Sequence, residues 1–189
     1  MNLAATRRAG RRRDRYGISE ESLRAYGALW GCTLTTAGAV ALVGRPLSSA
    51  TRKVLGLTLR ASENPPPYLS HVLALAAHNI PIAAWPLLLG VAGVSRQRLA
   101  VRAADILVGA SMLANTVPVG AALGAYGGTV IAYVPQLPLE WAGLAIGYGS
   151  WLVQRRRPME SRERLARLAL IAATLLIAAM LETAAVPHR

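Results

Sequence analysis

The chain has 189 residues, of which 53% are hydrophobic and 16% charged, and a mean hydropathy of +0.36. That is too apolar for an ordinary soluble domain and too long for a single membrane anchor. The formal charge of +12 rests on 21 Lys and Arg against 9 Asp and Glu, but the basic residues fall in short patches between apolar stretches, with no nucleic-acid recognition motif beside them. This is the pattern of membrane loops and argues against nucleic-acid binding. Cys32 is the only cysteine, which excludes an internal disulfide and a Cys-based zinc site.

Residues 1–24 form a basic tail carrying Arg7, Arg8, Arg11, Arg12, Arg13, Arg15 and Arg24. Crossing the hydrocarbon takes about 20 mostly apolar residues in a helix. Five segments in the transmembrane domain, residues 25–186, meet that need: 25–44, 68–94, 104–125, 129–153 and 165–186. The tail is too long and too basic for a cleaved signal peptide, and four more spans follow the first. Between the first two spans, residues 46–62 place Leu47, Ala50, Val54, Leu57 and Ala61 on one side of a helix, with Ser49, Lys53, Gly56 and Arg60 opposite. This stripe predicts an interfacial amphipathic helix lying on the bilayer. The expected fold is therefore all-α, a polytopic bundle of about five transmembrane helices and one interfacial helix.

A cytoplasmic N-terminus leaves only Arg45, Arg52, Lys53, Arg60 and Arg189 outside. It gathers the tail, Arg96, Arg98, Arg102 and the 155–167 arginines inside, as the positive-inside rule favours. The C-terminus is then expected outside. Asp105 falls at the start of the third span, where a carboxylate suits the helix dipole.

Polar groups at membrane depth are the most informative residues, because a charge there costs on the order of 3 kcal/mol or more. Asn79, Asn115 and Glu140 lie near the middles of three consecutive spans. Gln136, Gly143 and Gly147 share a helical side with Glu140, so the carboxyl is expected to face the bundle. It serves either an ion, proton or partner site, or packing through hydrogen bonds to Asn115 or Gln136. Gly120, Gly124 and Gly128 repeat at the spacing that lets helices approach, as do Gly143 and Gly147, and predict that the third and fourth spans pack closely near their connection. Pro135 and Pro138 predict a fourth span kinked or broken before Glu140, with the kink favoured. His71 and His78 share a face of the second span but lack further ligands, so no metal site is expected. Glu182 reads as an interfacial carboxylate. No nucleophilic triad or phosphate-binding glycine loop is present, so neither an enzyme nor a cofactor is expected.

The stretch Pro135-Gln136-Leu137-Pro138-Leu139-Glu140, followed by Trp141-Ala142-Gly143 and a helix ending at Arg155, resembles the signature of the stage II sporulation protein M family. There a Pro-His-Gly-x-x-Glu pattern introduces a late membrane helix. Pro135 and Glu140 match; Gln136 stands in place of the His and Leu137 in place of the Gly. Asn115 to Gly120 resembles the family's Asn-x4-Gly element, and Asn79 with Gly90 its earlier Asn-containing helix. The resemblance covers about residues 68–155 and the five-span layout. It implies a non-enzymatic subunit of a cell-envelope or export complex in the bacterial inner membrane, with a membrane-protein partner or a homo-oligomer around it. It also implies importance for Asn79, Asn115 and Glu140. The competing expectation is a small transporter or channel that uses Glu140 in a polar cavity.

Overall fold

The computed structural model describes residues 18–55, 68–131 and 134–185, and among them all regular structure is helical. Helix α1, Glu20–Val43, begins where the Ser19 hydroxyl accepts the Ser22 amide at 3.2 Å. Glu20 and Glu21 in its first turn complement the positive end of the dipole. It stops at Gly44, and α2, Arg45–Leu55, follows directly. Helix α3, Tyr68–Leu88, runs through Pro81 and Pro86. A single 3-10 turn, Val94–Arg96, then leads into α4, Arg98–Tyr126. Gly127 closes α4 at φ 59, a left-handed backbone that glycine adopts without strain. The short α5, Gly128–Ile131, is separated by a turn from α6, Leu137–Gln154, and α7, Ser161–Ala185, completes the order.

Helix α6 is the axis of the molecule. Helices α1, α3 and α7 pack against it, α7 also packs on α3, α4 packs on α1, and α2 lies on α4. The core gathers Ala25 and Leu29 of α1, Ala83 of α3, Trp141, Leu144 and Ile146 of α6, and Ile171 and Leu175 of α7. Every residue from 143 to 151 is buried.

Four helices, α1, α3, α4 and α7, are long and apolar enough to cross a membrane. Helix α6 has 18 residues, about 27 Å at helical rise, yet it falls short of them in hydropathy. The reason is its position. A helix encased by three others presents its side chains to protein, so Ser150, Tyr148, Trp151 and Gln154 are accommodated by protein partners. The Trp141 indole donates to Thr33 Oγ1 at 3.2 Å, the Trp151 indole to Asp105 at 2.9 Å, and Gln154 to the Leu87 carbonyl at 3.1 Å.

The structure corrects several expectations. The fourth span, 129–153, is not one helix but α5, a turn and α6. Pro135 lies in that turn and Pro138 at the second position of α6, where a missing amide costs nothing. The two prolines therefore break and restart the helix; they do not kink it. The second span ends at Leu88, short of residue 94, because the chain turns there. The glycine contacts also differ. Gly120 and Gly124 abut the backbone of Thr33 and Ala37, so α4 closes on α1 and not on α6. Gly128 has open space around it and packs on nothing. Of the interfacial helix, residues 46–55 lie within α2, where Leu47 and Val54 are exposed; residues 56–62 fall outside the described residues.

Candidate functional site

The break before α6 places Glu140 in the first turn of a helix. Its amide bonds the Gln136 carbonyl at 3.1 Å, and its carboxyl sits beside the positive end of the dipole. Helices α3 and α4 bring Asn79 and Asn115 to the same place. The three residues line one small cavity of about 50 Å³ together with Ile82, Trp141, Leu144 and Leu175. Of the polar cluster expected from the sequence, Asn79, Asn115, Gln136 and Glu140, the cavity brings together Asn79, Asn115 and Glu140.

Asn115 is oriented by two bonds from its amide nitrogen, to the Ser111 carbonyl at 2.7 Å and to the Tyr148 hydroxyl at 3.5 Å. Ser111 and Tyr148 share a further hydroxyl–hydroxyl bond at 3.1 Å. A carboxamide whose nitrogen is held in this way is left with its oxygen as the free polar atom. Glu182 of α7 lies within electrostatic reach of Glu140, and His71 of α3 within reach of Glu182. Glu182 is half-buried near the end of α7 and does not line the cavity. His78 is exposed and apart from this chain of groups.

Gln136 does not line the cavity. It is buried at the turn into α6 with its Oε1 unpartnered. Gly143 and Gly147, on the expected helical side, admit other helices: Gly143 faces Leu175 of α7, and Gly147 faces the Ala83 carbonyl of α3. Among the described residues no cluster of three His, Cys, Asp or Glu side chains has the proximity to hold a metal ion.

A second polar centre, not anticipated from the sequence, lies at the opposite end of α6. Arg167 of α7 is 1% exposed and Glu163, one turn before it, 2%. The Arg167 guanidinium donates to Glu163 at 3.2 Å, to the Ser150 hydroxyl at 3.3 Å and to the Ser19 hydroxyl at 3.5 Å. Arg157, in the loop before α7, grips the same carboxylate with two parallel bonds of 2.9 and 2.8 Å. These bonds hold the Arg157 guanidinium above its ordinary pKa. Arg156 pairs with Glu21 at 2.8 Å, and Arg155 with Asp105 at 3.2 Å. Asp105 thus serves Trp151 and Arg155; because α4 begins at Arg98, it lies two turns inside the helix and not at the dipole end expected for it. The one signal in the sequence is the i, i+4 spacing of Glu163 and Arg167, which usually marks a solvated face.

No family model, curated protein sequence or solved structure matches this chain.

Proposed function

We propose that the chain is a non-enzymatic, multi-pass subunit of a cell-envelope or export complex in a bacterial inner membrane, of the kind its resemblance to the stage II sporulation protein M family implies. The observation that carries this reading is the closure of the interior around α6. Residues 143–151 are buried without a gap, and Gly143, Gly147 and Gly149 let α7, α3 and α1 come within contact distance. A helix clamped on three sides at backbone distance suits a rigid scaffold part. The arginines after α6 and the start of α1 lie at one end of the molecule, joined by the Arg156–Glu21 pair. The positive-inside rule assigns that end to the cytoplasm and the end of α7 to the outside.

Purification of tagged protein from native membranes in mild detergent, with mass determination of what accompanies it, is expected to yield a stoichiometric membrane partner. Repeated isolation of this chain alone would overturn the reading.

A second reading, transport of a proton or small ion, is favoured by the Glu140 cavity. Its volume of about 50 Å³ admits a few waters or one bare ion and no organic solute. On that reading Glu140→Gln abolishes flux in liposomes while folding survives, and unchanged flux removes Glu140 from any transport role.

A further inference from the structure

A pocket of about 620 Å³ opens at the arginine-rich end, lined by Ser19, Glu20, Glu21, Val153, Arg156, Arg157 and Arg167. We propose that it binds a phosphate-bearing anion, held by Arg156, Arg157 and the first turn of α1 above the buried Arg167.

The charge distribution carries this assignment. Three guanidiniums line the pocket against two carboxylates. Both carboxylates are already engaged, Glu20 by Arg24 and Glu21 by Arg156. Behind the wall, one carboxylate, Glu163, serves both Arg157 and Arg167. One acid shared between two guanidiniums leaves a positive charge uncompensated. Glu160 and Glu21 also act on Arg157, and Glu21 on Arg167, but Glu160 is exposed, where salt and water weaken its field, and Glu21 is shared with Arg156.

Hydrogen-bond capacity points the same way. Arg167 is buried, and its Nε has no partner. The Ser19 hydroxyl caps only the Ser22 amide, so the first-turn amides of Glu20 and Glu21 face the end of a 24-residue helix without intrahelical acceptors. An anion there meets aligned amides and the positive end of a dipole. Arg157 and Arg156 are 43% and 66% exposed at the side chain, so they reach an incoming ligand. Guanidinium forks match phosphate oxygens two at a time. The pocket volume suits a headgroup rather than a bare halide.

The phosphate has two sources, an anionic lipid headgroup at the membrane surface or a free phosphate in solution. Two arms separate them. In the first, inorganic phosphate is titrated against full-length protein in detergent at constant ionic strength, and thermal unfolding is followed by tryptophan fluorescence. In the second, the protein is reconstituted in vesicles of equal phosphatidylglycerol and phosphatidylcholine, extracted, and its retained lipid counted by native mass spectrometry.

Stabilisation by phosphate assigns a free anion, and selective retention of phosphatidylglycerol assigns the headgroup. In whichever arm responds, Arg156→Gln is expected to weaken binding about tenfold, the worth of one charged hydrogen bond. Glu21→Gln is expected to strengthen it by releasing Arg156, a gain that a folding defect does not mimic. No response in either arm, or a response that both variants leave at the wild-type level, overturns the proposal.

Discussion

Arg167 shows how a side chain's meaning depends on what surrounds it. In the chain it is one arginine of a charged run, four residues after an acid. In the fold it is sealed between Ser19, Ser150 and Glu163. Desolvating such a pair is costly, and removing one partner strands the other. Arg167→Gln is therefore expected to lower unfolding stability in detergent by about 3 kcal/mol, with Arg157 still holding Glu163. The exposed pair Arg24–Glu20, broken by Arg24→Gln, should cost at most about 0.5 kcal/mol. Chemical denaturation of both variants beside wild type checks the contrast. Asn79, Asn115 and Glu140 are legible in the sequence because polar groups are rare and expensive at membrane depth. Arg167 is not, because its spacing from Glu163 is the ordinary pattern of a solvated helix.

At the scale of elements, the glycines divide by what lies opposite them. A Cβ at Gly147 would fall inside contact distance of the Ala83 carbonyl, a backbone atom that cannot swing aside. Gly27 has open space around it in α1. Gly147→Ala is expected to destabilise by about 1–3 kcal/mol as α3 is pushed off α6. Gly27→Ala should instead stabilise by up to about 1 kcal/mol, through the better helix propensity of alanine. Thermal unfolding of the two variants gives opposite signs if the packing is as described. The sequence spacing marks Gly120, Gly124, Gly143 and Gly147 for close approach. It does not name the neighbour, because a small residue permits contact with any helix that reaches it. Which helix arrives is set by the order of packing, and the pairing of α4 with α1 follows from that. The prolines mislead for a related reason. Pro138 disrupts a helix that continues through it but starts one that begins beside it, and the sequence alone does not show where the turn lies.

At the scale of the whole molecule, the order of the long helices is legible in hydropathy, and their wrapping around α6 is not. Four helices carry enough apolar surface to declare themselves, while the one at the centre is the least declared. The orientation inferred from the arginines is open to direct measurement. In a Cys32→Ala background, Gly128→Cys, at the exposed start of α5, is expected to react with a membrane-impermeant maleimide on intact spheroplasts. Ser161→Cys, at the exposed start of α7, should react only after lysis. The reverse pattern would invert the topology.

The low hydropathy of α6 bears on how the protein is made. A nascent segment of this composition, with Glu140 near one end and Gln154 at the other, gains little by entering lipid on its own. It becomes comfortable only when α1, α3 and α7 enclose it, and α7 is synthesised after it. On that order of synthesis, the enclosure of α6 closes only when α7 docks against it and against α3. A chain interrupted between the two would leave one face of α6 uncovered, which makes completion of α7 the step that closes the bundle.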